Sequence, residues 1–197
     1  MKSKLMTIAG SCACICIAVA ALPVNAEEIN SALSGSSRCD DRDENGNCLE
    51  VIVNGVTKPL KKNGKKFNKE GNTVVERDAT TLIPPNFEDP ETYCWIDDQP
   101  GFLFVYDYSS AVTTTPNGDL IYSELDDTKI SSLCVSQDLS KLEATIHRKI
   151  SGGSGQYAGA CGWEKVTGAG IFLPPDTSFG PVVGTLVGEI FVGADCP

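Results

Sequence analysis

Past its first 26 residues the chain has no second long apolar run, one histidine, no Cys-x-x-Cys pair and no segment of helical period. Without such a run the mature chain has no membrane span. The lone histidine, His147, excludes a His-rich metal site. A serine–histidine hydrolase would have to use it, and no Gly-x-Ser-x-Gly elbow supports that chemistry. His147 falls on the polar face of a strand pattern beside Lys149 and Glu143, where an exposed role is expected. Without Cys-x-x-Cys spacing the cysteines do not read as a zinc or redox site. Positive charge is scarce as well: 16 Lys and Arg stand against 26 Asp and Glu, a net charge of −10. Phosphates would be repelled rather than neutralised, so no nucleic-acid partner is expected.

What is present begins with an export signal. Lys2 and Lys4 precede an apolar stretch from Leu5 to Leu22, and Val24-Asn25-Ala26 supplies small residues at a cleavage position. Residues 1–26 therefore read as a secretory signal peptide, and the mature chain as secreted, extracellular or periplasmic. A lipoprotein acylated at Cys12 is the rival, weakened by the short apolar region before it and by Ala9 three positions upstream. Cleavage removes Cys12, Cys14 and Cys16 of nine cysteines. The remaining six, Cys39, Cys48, Cys94, Cys134, Cys161 and Cys196, form an even set that in an exported chain predicts disulfides. Their pairing is not fixed by sequence, although Cys39 and Cys48 would close a short acidic loop.

The expected organisation is an N-terminal extension over 27–85 followed by a barrel over 86–197. Glu27 to Ser37 reads as a flexible leader. Leu49 to Val53 is a β-branched run entering a turn at Asn54-Gly55. The lysines at 58, 61, 62, 65, 66 and 69 are broken by Pro59, Gly64 and Gly71. They read as a solvated loop, with a polyanion or membrane-surface site as the sharper alternative. Thr73 to Val75 is a short strand candidate. From Phe102 onward the pattern is β throughout: 102–108, 119–125, 131–136, 142–150 and 182–192, separated by Pro, Asn, Gly and Asp turns. In 142–150, Leu142, Ala144, Ile146 and Ile150 share one face. Short strands and frequent turns predict an all-β antiparallel sandwich or barrel. Eleven of the 19 glycines fall between Gly152 and Gly193, and such density suits the bulges and coiling that barrel closure needs.

The stretch from Ile150 to Gly162, Ile-Ser-Gly-Gly-Ser-Gly-Gln-Tyr-Ala-Gly-Ala-Cys-Gly, is the most distinctive. It resembles the hairpin signature of allene oxide cyclases and dirigent proteins and of secreted bacterial proteins sharing their barrel. Tyr157 matches the aromatic of that signature, and Ala158 to Gly162 match its small-residue run. The resemblance covers 102–192 and implies a calycin-like, eight-stranded, closed antiparallel barrel, here disulfide-stapled, around an apolar cavity. Allene oxide cyclases fold a reactive fatty-acid epoxide in that cavity, and dirigent proteins orient phenoxy radicals, neither with a cofactor. No active-site residue of either family transfers to this sequence.

Phe102, Phe104, Tyr106 and Tyr108 recur at spacing two and so project from one strand face, as packed core or as the wall of a cavity. Tyr122 and Glu124 share a face on the next strand; a buried Glu124 would act as a general acid or base, and a solvated outward residue is the alternative. The candidate ligand-binding set is Phe104, Tyr106, Tyr108, Tyr122 and Glu124. Asp41, Asp43 and Asn45, with Gly46, match the first half of a calcium loop, and the arrangement also resembles the short calcium motif of excalibur-type domains. Ile52 stands where an EF-hand needs its bidentate glutamate, so a solvated acidic loop is the alternative. The leading expectation is a barrel binding a lipophilic or phenolic small molecule, cofactor-free apart from a calcium option; whether it also steers that molecule's cyclisation or coupling, as the resembled families do, is open. A structural or surface-interaction protein with a side-chain-filled barrel is the second, and a calcium-dependent adhesin the third.

Overall fold

The structure, a computed structural model, describes residues 26–44, 48–59, 71–86, 88–171 and 180–192. The expected signal peptide, lysines 61–69, Asn45 and Cys196 lie outside the described residues, as does the side chain of Cys48. The described strands are β1 (Ala26–Arg42), β2 (Cys48–Pro59), β3 (Gly71–Leu82), β4 (Tyr93–Ile96), β5 (Gln99–Thr114), β6 (Leu120–Leu125), β7 (Ser132–Ser136), β8 (Lys141–Gly153), β9 (Cys161–Ile171) and β10 (Gly180–Phe191).

All pairings are antiparallel, and they close. β1 pairs with β2, β2 with β3, and β3 with β5. β5 meets β6 along 110–114 and β7 along 101–105, so two short strands share one lane end to end. Both then pair with β8, which continues through β9 and β10 back to β1. The result is an eight-lane closed barrel without a free edge around its girth. β4 stands outside this ring as a hairpin with the start of β5. Its two-residue turn is Asp97-Asp98, at φ 50° and 60°, the backbone a right-twisted hairpin needs.

The boundary expected at residue 85 does not divide the molecule, because β1, β2 and β3 are three of the barrel's lanes. The segment read as a flexible leader is most of β1. Its inward positions are Ile29, Ser31, Leu33 and Ser37, all buried. Only two of those four are apolar, so the period-two signal is muted although the strand is fully paired. Nor does Asn54-Gly55 end β2. Gly55 lies opposite Gly35, where a Cβ on Gly35 would come 2.2 Å from the Asn54 carbonyl oxygen. The two glycines let the coiled strands pass close together rather than turn.

The Gly-rich segment closes one end. β8 finishes at Gly153 and a 3₁₀ turn runs Gly155–Tyr157, with Gly155 at φ +58°. Ser154 N–H donates to the Leu120 carbonyl and Ser154 Oγ accepts from Leu120 N–H, both at 2.9 Å, docking the hairpin on β6. Tyr157 then packs inward with Ile29, Ile121, Ile150, Ala160, Leu186 and Ile190. This half of the barrel is filled by side chains.

Midway along β5 the inward parity changes. Tyr106 points in, Asp107 and Tyr108 are both exposed, and Ser109, Ala111 and Thr113 point in again. On β3, Ala79 faces Tyr108 and Thr80 faces Tyr106, so Asp107 is an extra residue forming a β-bulge. The bulge sits where β5 passes from β7 to β6 as its neighbour.

Candidate functional site

The half of the barrel opposite Tyr157 is hollow. A cavity of about 350 Å³ lies between Arg42 and Leu49, near the β1–β2 connection, and a floor at mid-height. Leu33, Val53, Leu133, Ile146, Val166 and Val182 are among its walls, and Glu76, Asp78 and Tyr106 are its polar floor. Each floor residue arrives on an inward position of β3 or β5.

Beneath the floor lies a buried ionic belt. Arg148, 1% exposed, projects inward from β8 and donates through Nη1 to Glu76 Oε1 at 2.8 Å and through Nε to Ser109 Oγ at 2.8 Å. Ser109 donates onward to Asp78 Oδ1 at 2.6 Å. Arg148 Nη2 stands 3.6 Å from Asp78 Oδ1 without a hydrogen bond, and Nη1 stands 3.6 Å from Glu164. Glu164 accepts from Ser123 Oγ at 2.8 Å. Burial opposes the Arg148 charge, and the carboxylates around it outweigh burial and hold its pKa well above the ordinary value.

Three carboxylates and one guanidinium make the belt electron-rich. Burial first, and then Glu76, raise the Asp78 pKa to about 7 against the pull of Arg148. Tyr106 is pushed well above 10.0 by burial and by the charges of Asp78 and Glu76, so its phenol stays protonated. Among the described residues, three polar atoms of this floor make no hydrogen bond: Glu76 Oε2, Asp78 Oδ2 and Tyr106 Oη. All three belong to residues at least nine-tenths buried, and all three residues line the cavity.

Of the ligand candidates read from the sequence, only Tyr106 lines this cavity. Phe104 is half-buried opposite Leu133, beside the cavity rather than on its wall. Tyr108 is 48% exposed and donates to Ser110 Oγ, because the Asp107 bulge reverses the expected spacing-two face. Tyr122 and Glu124 face outward too, Glu124 pairing with Lys149 at 3.5 Å. Strand parity puts Ile121, Ser123 and Leu125 inside instead. Asp41 caps Arg42 N–H at 2.9 Å; among the described residues no group of three metal-ligating side chains gathers. His147 Nδ1 lies 2.9 Å from the Ile130 carbonyl, which fixes it as the donor. Cys94 and Cys134 form a disulfide joining β4 to β7, and Cys39 and Cys161 are also disulfide-bonded.

Glu76, Asp78, Arg148 and Glu164 were not expected at the site. Glu76-Arg77-Asp78 looks like a solvated run. Arg148 carried a readable signal: it falls on the face of Leu142, Ala144, Ile146 and Ile150, and a charge on an apolar face needs a buried partner.

No family model matches the chain, and no curated protein matches it. It is similar to a solved structure of the pterocarpan synthase dirigent protein GePTS1, at 16% identity over 87% of this chain and 89% of that one, with a TM-score of 0.22. At that score the likeness supports no argument about activity. Among the described residues no helix is long and apolar enough to cross a membrane.

Proposed function

We propose that the barrel binds an apolar or phenolic small molecule in its open half, polar end down. The observation that carries this is the junction of apolar walls with three unpartnered polar atoms on Glu76, Asp78 and Tyr106. Buried polar groups normally find partners, and those left free at a cavity floor are the ones a ligand satisfies. The protonated Tyr106 hydroxyl donates or accepts. Asp78, titrating near neutrality, can take a proton from a ligand or return it, the capacity that steering a cyclisation or coupling requires. The Cys94–Cys134 bridge supports an oxidising compartment, in keeping with the export signal.

The test is the Tm of oxidised protein, residues 27–197, against a panel of phenolics and fatty-acid derivatives. A ligand at ~100 times its Kd should add ~2.7 kcal/mol, several degrees for a domain of this size. Tyr106→Phe keeps the ring and removes the hydroxyl. It is expected to weaken binding severalfold while leaving the unliganded Tm nearly unchanged. A panel with no saturable shift, or a Tyr106→Phe protein with unaltered affinity, would count against this site.

A further inference from the structure

The charge around the cavity floor narrows the ligand. From β3 come Glu76 and Asp78, from β8 Arg148 and from β9 Glu164; β5 contributes the neutral Tyr106 and Ser109. That is one cation for three carboxylates among the described residues, in a space closed below by an apolar core. Arg42 is the other cation on the cavity, and it stands at the mouth. The floor carries the carboxylates of Glu76 and Asp78 and the phenol of Tyr106, and among the described residues Glu76 Oε2, Asp78 Oδ2 and Tyr106 Oη make no hydrogen bond. A primary ammonium has three N–H donors, and each of these three oxygens accepts.

We infer that the cavity selects an apolar body carrying a protonated amine, seated with its ammonium on Glu76, Asp78 and Tyr106. This rests on the cavity reading above and specifies its head group. A carboxylate head would meet uncompensated negative charge at the floor and find its only counter-ion at the mouth. A neutral hydroxyl head would satisfy one acceptor and leave the charge excess in place. Burial first, and then the Glu76 charge, displace the Asp78 titration upward against the pull of Arg148, and a bound ammonium would add to that pull.

The experiment uses three probes of one shape: 4-phenylbutylamine, 4-phenylbutan-1-ol and 4-phenylbutanoate, titrated calorimetrically into the oxidised protein at neutral pH. The amine is expected to bind at least about tenfold more tightly than the alcohol, with the carboxylate weakest. In Asp78→Asn that advantage should shrink to about threefold or less, with the alcohol little affected. Because the whole chain is acidic, the wild-type comparison is repeated in ~0.5 M sodium chloride, where attraction to an exposed surface is screened and a buried contact is not. This arm does not depend on the variant folding. Alcohol binding as tight as amine binding, or carboxylate binding tightest, overturns the inference and leaves the cavity reading standing. An amine advantage that salt abolishes, or that survives Asp78→Asn in a folded protein, overturns it too. Failure of all three probes at millimolar concentration removes both the inference and the cavity reading.

Discussion

At the scale of single residues the belt under the cavity dominates. Arg148 is the only described cation among three buried carboxylates, so removing it strands them. Arg148→Met should cost about 3–5 kcal/mol, read as a lower urea midpoint with little change in slope. Asp78 has a different signature. Its folded pKa, about 7, lies above the ordinary value of 3.8, so between those limits the folded state holds a proton that the unfolded chain has released. Stability from this group is fully present below the unfolded value and is lost as pH rises through about 7. The wild-type protein should therefore be more stable at pH ~5 than at pH ~8 by a margin that Asp78→Asn largely erases, measured by urea titration of both proteins at both pH values. An equal margin in the two proteins would assign the pH dependence elsewhere.

At the scale of elements, the bulge in β5 sets which side chains reach the interior. Deleting Asp107 would restore strict alternation and force either Tyr106 or the run Ser109, Ala111, Thr113 outward. The expected result is loss of the dispersed amide spectrum of a folded β protein. The β4 hairpin is held differently, by the Cys94–Cys134 bridge spanning 40 residues. Replacing both cysteines by alanine should cost ~2–4 kcal/mol in thermal or urea unfolding. The limits of sequence reading lie at this scale as well. β6, β8 and β10 announce themselves through β-branched alternation, and the Gly-Gly-Ser-Gly turn gave the barrel. β1 did not show, because its inward Ser31 and Ser37 serve a polar interior and so break the apolar period. Tyr108 misled for a related reason: one inserted residue changes a strand's parity without altering its composition. The site carboxylates were hidden by chemistry rather than pattern. Glu76 and Asp78 on a strand read as solvent-facing until a partner is known, and that partner, Arg148, lies 72 residues from Glu76 along the chain.

At the scale of the whole molecule the barrel has two unlike halves. The Tyr157 end is packed with isoleucine and leucine and anchors the fold. The other end gives up that packing to keep a space over a charged floor. Stability and binding are thus divided along the barrel axis. Substitutions at Ile29, Ile121 or Leu186 should lower Tm without altering ligand selectivity at a fixed folded fraction. Tyr106→Phe at the floor should do the reverse, whereas Glu76 and Arg148, a buried ion pair, serve both halves.

The ring is sealed by β1 against β10, with Ala26 opposite Phe191 and Ser37 opposite Gly180. The first described strand must therefore wait for the last described one. Until residues 180–191 are available β1 lacks one of its two neighbours, and the closing contacts carry the entropy of a loop of well over a hundred residues. Refolding from denaturant should accordingly fall in the slow range of non-local β topologies, milliseconds to seconds or longer. Until that seam forms the ring is open, and the inward-facing side chains of β1 and β10 stay within reach of solvent.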